Sequence, residues 1–270
     1  MKSSKSVSKS FILDMTWEEF RDIAKQSAVV VIPLGSVELE GSHLPLGVDT
    51  IVAKGISENL SGQEGVIIGP IIPVGYSKWF NTFPGTISLE NETLVGVLGN
   101  YSDSLVRHGI RRIVFLNSHR GNNAAVEVVA HKLISENHIR VGMVNIWKLA
   151  NDLTSGTGHI SEGKFTHAGE IMTSLVMALR PETVITDKIQ PGKVKQIEGS
   201  KFEVKNSVGE TALLGSIQLV YQDIRDLTDS GTLGDPTKAS AEKGQLIIEL
   251  ITDYLKAYLQ EFRKIPPSLF

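Results

Sequence analysis

Ser-Ala-Val-Val-Val-Ile-Pro-Leu, residues 27–34, is a nearly continuous apolar run that stops at Gly35. Polar and apolar residues do not alternate within it, so both faces of the strand that it forms are expected to be buried. Burial on both faces is typical of a parallel sheet that helices cover on either side. Residues 66–74, 112–117 and 140–146 have the same character and predict three further strands.

The stretches between these strands have helical periodicity. Apolar residues spaced by threes and fours predict one helix through Leu94–Leu105 that ends at Arg107-His108-Gly109, and another through Ala125–Leu133. A long final helix is predicted from Ala239 to about Phe262. Because strand and helix alternate along the chain, the sequence predicts an α/β fold, a three-layer α/β/α arrangement with a mainly parallel central sheet.

The predicted domain organisation is simple. Residues 1–10, rich in Ser and Lys, are predicted to be a flexible tail, and residues 11–265 a single domain. Residues 184–222 fit either an added hairpin or a flexible insertion. The apolar run at residues 11–13 is too short for a secretory signal, and no stretch reaches the ~18 apolar residues of a membrane span. A cytoplasmic protein is therefore expected, without a membrane partner.

Composition excludes several classes of protein. The 27 Lys and Arg against 30 Asp and Glu give a formal net charge of −3, so there is no overall basic field for a nucleic acid. The absence of Cys excludes disulfides, zinc-thiolate sites and thiol nucleophiles. Any bound metal must therefore use mainly nitrogen and oxygen ligands.

Polar residues collect directly after two of the predicted strands. The carboxylates and imidazoles in these two loops are Glu38, Glu40, His43, Asp49 and His119. Because ligands gather beyond the carboxyl ends of parallel strands, these side chains are expected at one rim. Such a mixture suits Zn²⁺, Mn²⁺ or Fe²⁺. Two alternatives stay open, namely Asp49 as a helix N-cap and His119 as an ordinary turn histidine.

Five separated segments resemble the creatininase family, the metal-dependent creatinine amidohydrolases and their relatives. They are residues 32–49, which begin Ile-Pro-Leu-Gly-Ser-Val-Glu, residues 83–89 (Phe-Pro-Gly-Thr-Ile-Ser-Leu), residues 107–122, residues 167–170 (His-Ala-Gly-Glu) and residues 234–244. The segments run in the order of the family, and together they span roughly residues 25–250.

The resemblance implies a creatininase-like fold with two divalent metal ions at the carboxyl edge of the sheet, where a water attacks an amide carbon. By position, Glu38, Asp49 and His119 match ligands of the first metal, with Asp49 as the bridge between the metals. His167 matches a histidine that assists proton transfer or holds the substrate. Asn122, with nearby backbone amides, is predicted to stabilise the developing oxyanion.

The sequence departs from the family pattern around the second metal. Glu40 stands where the family has a histidine ligand, and Met172 where many members have a glutamate that faces that metal. Arg120 stands where the family has the first glycine of His-Gly-Gly-Asn, and Trp79-Phe80 replaces a frequent Glu-His pair. One metal site is therefore expected, and the second stays open.

Three interpretations of these changes remain open. Glu40 retains an oxygen ligand, so a second site with harder ligands would suit Mn²⁺ or Mg²⁺ better than Zn²⁺. Alternatively, Arg120 replaces the second metal as a fixed cation and pairs with Glu40 or with a substrate carboxylate. In the third interpretation, Glu40 and Arg120 form a structural ion pair in a cleft that has lost catalysis.

The predicted function is a metal-dependent amidohydrolase that cleaves a C–N bond of a small cyclic amide or formamide-type substrate. The alternative is a non-catalytic small-molecule binding or partner protein on the same scaffold. Trp79 and Phe80 are predicted either to contact the substrate or to pack in the core, and Trp147 is expected to pack. Glu170, one helical turn from His167, is predicted to contact the substrate or to orient His167, and a solvated charge is the alternative. The resemblance also implies a homo-oligomer, often a hexamer in the family.

Overall fold

The computed structural model describes residues 9–26, 28–205 and 209–266. Its helices are α1 Trp17–Ala24, α2 Val48–Glu58, α3 Asn91–Arg107, α4 Asn123–Asn137, α5 Ile146–Thr154, α6 Glu170–Leu179, α7 Ile224–Leu227 and α8 Ala241–Lys264. Its strands are β1 Val29–Leu34, β2 Val66–Ile68, β3 Arg112–Asn117, β4 Arg140–Asn145, β5 Glu203–Val204, β6 Glu210–Leu213 and β7 Ser216–Leu219. Residues 1–8 of the predicted tail, and Ser27 of the first predicted strand, lie outside the described residues.

Four parallel strands form the central sheet in the order β2-β1-β3-β4. β1 and β3 pair from Val30 opposite Ile113 to Leu34 opposite Asn117, and both strands are buried throughout. Their uninterrupted apolar character follows from this position, because helices cover both faces of the sheet. The strands predicted at these two stretches are confirmed.

The strand predicted at residues 66–74 is shorter than expected. β2 ends at Ile68, because Pro70 has no N–H to donate to a ladder hydrogen bond. The chain then returns to the sheet through an isolated bridge between Leu34 and Ile72. The loop beyond that bridge turns towards the carboxyl edge of the sheet.

Two apolar layers lie on opposite faces of the sheet. Val29 and Val31 face the layer formed with α2, α5, α6 and α8. Val30 and Ile32 face the layer formed with α1, α3 and α4. Alternate residues of one strand thus enter opposite layers, as the two-residue period of a strand requires. The predicted three-layer α/β/α fold is confirmed.

Two predicted helix ends have identifiable causes. α3 ends at Arg107, and Gly109 takes a φ of 97°, which a glycine adopts without a Cβ penalty. α8 begins after Ser240, whose hydroxyl oxygen accepts a hydrogen bond from the Lys243 N–H. The long final helix is therefore confirmed, with its start slightly later than the predicted Ala239.

Residues 184–222 contain a second, antiparallel sheet in the order β5-β6-β7. β6 and β7 form a hairpin in which Glu210 lies opposite Leu219, so the hairpin interpretation of this segment is correct. A small apolar cluster joins residues 184–222 to the loop after β1. Its members are Leu39, Phe80, Val204, Ile224, Leu227 and Leu233.

Ser10, the last residue of the predicted tail, contacts the core of the fold. The Ser10 carbonyl accepts a hydrogen bond from the Ile68 N–H at 2.7 Å, and its hydroxyl accepts one from the Gly62 N–H at 2.7 Å. Ser10 is buried, so it belongs to the folded core. Among the described helices, none is long and apolar enough to cross a membrane.

Candidate active site

A cavity of about 630 Å³ opens at the carboxyl edge of the central sheet. The loops after β1, β3 and β4 and the segment before α6 supply its walls. The ionisable and aromatic side chains of its inner part are Glu38, Glu40, Asp49, His119, His167, Trp79, Phe80, Trp147 and Phe165. Most of the residues predicted for the site therefore do meet in one place.

The first group of candidate ligands is Glu38, Asp49 and His119, all buried. His119 Nδ1 lies 3.0 Å from Asp49 Oδ2 and 3.2 Å from Glu38 Oε2. The other ring nitrogen, Nε2, lies 2.7 Å from the Tyr76 carbonyl oxygen, which can only accept. This contact fixes a proton on Nε2, so Nδ1 is the ring nitrogen that would bind a metal ion in exchange for its own proton.

Asp49 is held from two directions. The Ser36 hydroxyl donates to Asp49 Oδ2 at 2.7 Å, and the Trp147 indole N–H donates to Oδ1 at 2.8 Å. Gly47 is the N-cap of α2, so the N-cap interpretation of Asp49 is wrong. Trp147 is buried, as expected, but sequence reasoning missed its hydrogen bond to Asp49 because the two residues lie 98 positions apart.

The second group of candidate ligands is Glu38, Glu40 and His167, also all buried. His167 Nε2 lies 3.2 Å from Glu40 Oε2 and 3.9 Å from Glu38 Oε1. His167 Nδ1 lies 2.8 Å from the Gly231 carbonyl oxygen, which fixes the proton on Nδ1. The two groups share Glu38, whereas the resemblance implied Asp49 as the shared residue.

The ion pair between Arg120 and Glu40, which two of the open interpretations include, is absent. Arg120 Nη1 contacts Glu210 Oε1 at 3.2 Å, on strand β6, and the Arg120 side chain is 47% exposed. Glu40 is 1% exposed and faces His167 instead. The guanidinium stays in the outer, hydrated part of the cavity because burying it beside Glu40 would cost its hydration.

Asn122 does not face the cavity, so its predicted oxyanion role has no support. Its amide nitrogen donates to the Gly35 carbonyl at 3.1 Å and to Asn117 Oδ1 at 3.1 Å. Its Oδ1 accepts from the Tyr76 N–H at 3.0 Å. Asn122 therefore connects the ends of β1 and β3 to the loop that holds His119.

Glu170 is neither a substrate contact nor an orienting partner of His167. It is fully buried, and its carboxylate accepts from the Glu162 N–H at 2.9 Å and forms an ion pair with Lys243. The predictions of a substrate contact and of an orienting partner are therefore corrected, and so is the alternative of a solvated charge. The carboxylate fixes the start of α6 against α8.

Met172, where many relatives have a glutamate, lies at the cavity wall. Its Sδ accepts a hydrogen bond from the Ala168 N–H at 3.2 Å. Ala168 has a φ of 52°, in the left-handed region that alanine seldom adopts. The thioether thus helps to hold the backbone directly after His167.

Two aromatic side chains predicted for the pocket do line it. Phe80 stacks on His167 with ring centroids 5.0 Å apart and an interplanar angle of 18°. Trp79 is half-buried and meets the Tyr76 ring edge-on at 6.4 Å. Phe80 also belongs to the small apolar cluster, so it both packs and faces the cavity.

His43 braces the loop and does not line the cavity. Its Nε2 lies 2.8 Å from Thr173 Oγ1, and its carbonyl accepts from the Ile185 N–H at 2.9 Å. Burial lowers the pKa of His43 to about 4, so the ring is neutral near pH 7.

The buried carboxylates shift one another's pKa values. Burial, together with the charges of Asp49 and Glu38, raises the pKa of Glu40 well above its ordinary value. Burial and the Glu38 charge also raise the pKa of Asp49, against the hydrogen bond from His119. Burial opposes charge on Glu38 as well, yet contacts with His119 and His167 lower its pKa to about 2. Burial likewise opposes charge on His119, but Glu38 and Asp49 raise the pKa of its ring well above the ordinary value.

The donor set fits divalent cations. Four buried ligand atoms make no well-formed hydrogen bond within the described residues, and they are Glu38 Oε2, Glu40 Oε1, Glu40 Oε2 and His167 Nε2. Three of them have only an imidazole–carboxylate contact of 3.2 Å, and Glu40 Oε1 has no polar contact of this kind. Leaving several carboxylate oxygens unpaired away from water is costly unless a cation neutralises them. Carboxylate oxygens and imidazole nitrogens without thiolates suit Mn²⁺, Zn²⁺ or Fe²⁺.

A parallel α/β sheet whose carboxyl edge gathers these ligands beside a cavity defines a metal-dependent hydrolase. A family model described as creatinine amidohydrolase matches residues 13–259, and the chain belongs to this creatininase family of metal-dependent amidohydrolases. The expected resemblance is confirmed.

Individual relatives agree with this membership. The chain is 26% identical to the creatinine amidohydrolase of Pseudomonas putida, over 98% of this chain and 100% of that protein. It is 30% identical to the mycofactocin precursor peptide peptidase of Mycobacterium ulcerans, over 83% of this chain and 81% of that protein. A solved structure of manganese creatininase superposes with a TM-score of 0.76 at 23% identity, over 95% of this chain and 99% of that one. Both curated relatives are named as hydrolytic enzymes, which favours the hydrolase over a non-catalytic binding protein.

Proposed function

We propose that this chain hydrolyses the C–N bond of a small cyclic amide or formamide-type compound with divalent metal held in two adjacent positions. The observation that carries the proposal is the set of buried ligand atoms on Glu38, Glu40 and His167 that make no well-formed hydrogen bond, beside the Asp49–His119 pair. The cavity of about 630 Å³ suits a small substrate.

The first position uses Glu38, Asp49 and His119, and the second uses Glu38, Glu40 and His167. In this assignment Glu38 is shared, and Glu40 replaces the histidine that the family has at its position. His167 then serves as a ligand, because its Nε2 faces Glu40 while its Nδ1 proton is held by a carbonyl. Zn²⁺, Mn²⁺ and Fe²⁺ all fit this ligand chemistry.

A divalent ion bound here supplies a water of lowered pKa and polarises the carbonyl under attack. Neighbouring side chains fix the orientation of the candidate ligands. Ser36 and Trp147 each hold one oxygen of Asp49, so the carboxylate cannot rotate. Phe80 stacks on His167 and restricts rotation of the imidazole ring. Trp79 and Phe165 add aromatic walls, which match the flat face of an amide.

Metal content in a set of variants tests the proposal. We expect two metal ions per chain in protein that is purified without chelators and loaded with Mn²⁺ or Zn²⁺. Glu40→Gln should remove one ion, Asp49→Asn the other, and Glu38→Gln both. Amide hydrolysis should fall in all three by orders of magnitude. Glu182→Gln, a change of the same kind at an exposed carboxylate, is the control and should retain both ions.

The outcomes distinguish the alternatives from the sequence. One ion per chain that survives Glu40→Gln would support a single-metal site. No ion at any concentration would overturn the hydrolase assignment. The cytoplasmic location and the homo-oligomer, possibly a hexamer, stay predictions. Exposed apolar side chains on and beside the β6–β7 hairpin support assembly, and they are Leu214, Ile217, Leu219 and Tyr221.

A further inference from the structure

We propose that the substrate carries a carboxylate beside the amide that is cleaved, and that the outer half of the cavity binds this carboxylate. This inference rests on the proposed hydrolase function and specifies the chemical class of its substrate. The outer half consists of Arg120, Lys148, Asn123, Asn145 and Asn151, all of which line the cavity. None of the five is among the candidate metal ligands.

Two of the three asparagines are oriented directly by a backbone N–H group. Asn145 Oδ1 accepts from the Lys148 N–H at 2.9 Å, and Asn151 Oδ1 accepts from the Phe165 N–H at 2.7 Å. A backbone N–H can only donate, so these contacts identify the oxygen of each amide. The amide NH₂ groups, which lack a protein partner over residues 9–26, 28–205 and 209–266, remain as donors.

Asn123 is oriented by a chain of hydrogen bonds. The Asn117 Oδ1 accepts from the His119 N–H at 3.1 Å, which fixes the Asn117 amide nitrogen as a donor. That nitrogen donates to Asn123 Oδ1 at 2.9 Å. The Asn123 NH₂ therefore also has no acceptor within the described part of the chain, and three amides present donors in the same cavity.

The two remaining groups of the outer half are cations. Arg120 contacts Glu210 through Nη1 at 3.2 Å, and its other guanidinium N–H groups have no acceptor among the described residues. The rest of its planar fork is therefore available for a second acceptor. Lys148 pairs with Asp152 one turn along α5, and its side chain is 75% exposed. The Arg120–Glu210 contact shows that a carboxylate can approach this guanidinium. A substrate carboxylate bound to the rest of the fork would share Arg120 with Glu210.

Five side chains that donate hydrogen bonds favour a ligand with several acceptor atoms, such as an anion. Arginine and amide N–H groups match the two oxygens of a carboxylate, and a charged acceptor gives hydrogen bonds about twice as strong as a neutral one. A neutral amide of the same size would gain only the weaker hydrogen bonds of a neutral acceptor. The inner half then holds the reacting amide at the candidate metal ligands, and the outer half holds the anionic end.

Binding of two matched ring compounds tests this inference on the metal-loaded full chain. 5-Oxoproline is a cyclic amide with a carboxylate, and 2-pyrrolidinone is the same ring without it. By titration calorimetry we expect 5-oxoproline to bind at least about tenfold more tightly, which equals about 1.4 kcal/mol. Arg120→Gln should remove this preference. Lys54→Gln, which removes a charge on the exposed side of α2, should retain it.

Two further variants convert a donor into an acceptor without loss of the structural contact. Asn145→Asp and Asn151→Asp keep the oxygen that accepts the backbone N–H, and Asp remains a good N-cap at the start of α5. Each should weaken 5-oxoproline binding about tenfold through charge repulsion and leave 2-pyrrolidinone unchanged.

Every other outcome overturns the inference. Equal affinities in the unsubstituted protein, or no binding of either compound, would exclude a carboxylate subsite for such rings. Tighter binding of inorganic phosphate than of 5-oxoproline would reassign the outer half to a phosphate ester. Metal content measured on the same samples separates this failure from failure of the proposed function, because a protein with metal and amide hydrolysis but no carboxylate preference contradicts only the substrate class.

Discussion

The indole N–H of Trp147 donates a 2.8 Å hydrogen bond to Asp49 Oδ1, across 98 positions of sequence. Trp147 follows β4, and Asp49 lies in the first turn of α2, so the bond connects two strand ends of one sheet edge. The Trp147 ring also stacks on Phe165 with centroids 5.3 Å apart. One side chain thus forms a cavity wall and fixes a candidate metal ligand.

Trp147→Phe should weaken metal binding with little change in the wall. Phenylalanine keeps a ring against Phe165 but removes the donor, so Asp49 Oδ1 is free to rotate. Loss of a hydrogen bond to a metal-binding side chain typically lowers metal affinity by about 10- to 100-fold. Competition with a chelator of known affinity measures the metal affinity of the variant. Trp17→Phe, at a side chain that is 70% exposed, is the matched control, and equal metal affinities in both variants would contradict the role.

Asn122→Ala should lower stability and metal affinity together. The change breaks bonds to the Gly35 carbonyl, to Asn117 Oδ1 and to the Tyr76 N–H, and it leaves buried polar groups unpaired. We expect the free energy of unfolding to fall by about 3 kcal/mol in urea titrations. Asn100→Ala, on the exposed side of α3, should have little effect.

The same Asn122 variant separates a positioning role from the oxyanion role. An oxyanion donor, when removed, lowers kcat by about 10²–10³ without unfolding the protein. If Asn122→Ala retains full stability and metal content but loses turnover, then the hydrogen bonds described above are not its main contribution.

The part of the site that sequence could predict lies at the ends of strands. Glu38, Asp49 and His119 follow two strongly apolar stretches, and the parallel sheet brings those ends together. The pairing of Glu40 with His167 could not be predicted in this way, because His167 precedes α6 and no strand periodicity positions it. The same holds for Arg120, whose partner Glu210 belongs to a hairpin with weak alternation in sequence. Side-chain orientation, unlike strand position, depends on contacts between remote segments.

His43 should make stability depend on pH between about 6.5 and 4. Its pKa is lowered to about 4 in the fold by burial, so the unfolded chain binds its proton first as the pH falls. The contribution of neutral His43 to the free energy of unfolding is fully present above the unfolded pKa of about 6.5. It is lost as the pH falls towards 4, and the loss amounts to at most about 3 kcal/mol.

The difference between the unsubstituted protein and His43→Gln isolates this contribution, because other acidic groups titrate in both. Glutamine retains a polar group towards Thr173 but cannot take up a proton. Urea unfolding at several pH values should give a steeper loss of stability in the unsubstituted protein. Parallel curves for the two proteins over this range would rule out His43 as the source.

Lys243→Met should destabilise the protein strongly, because it leaves the fully buried Glu170 carboxylate without its cation. Breaking one side of a buried pair typically costs about 3–5 kcal/mol. Glu170→Gln combined with Lys243→Met removes both charges and should recover most of that loss. Because Glu170 touches neither the cavity nor His167, kcat of the double variant should equal that of the unsubstituted protein. A large fall in kcat with stability restored would return Glu170 to the substrate site.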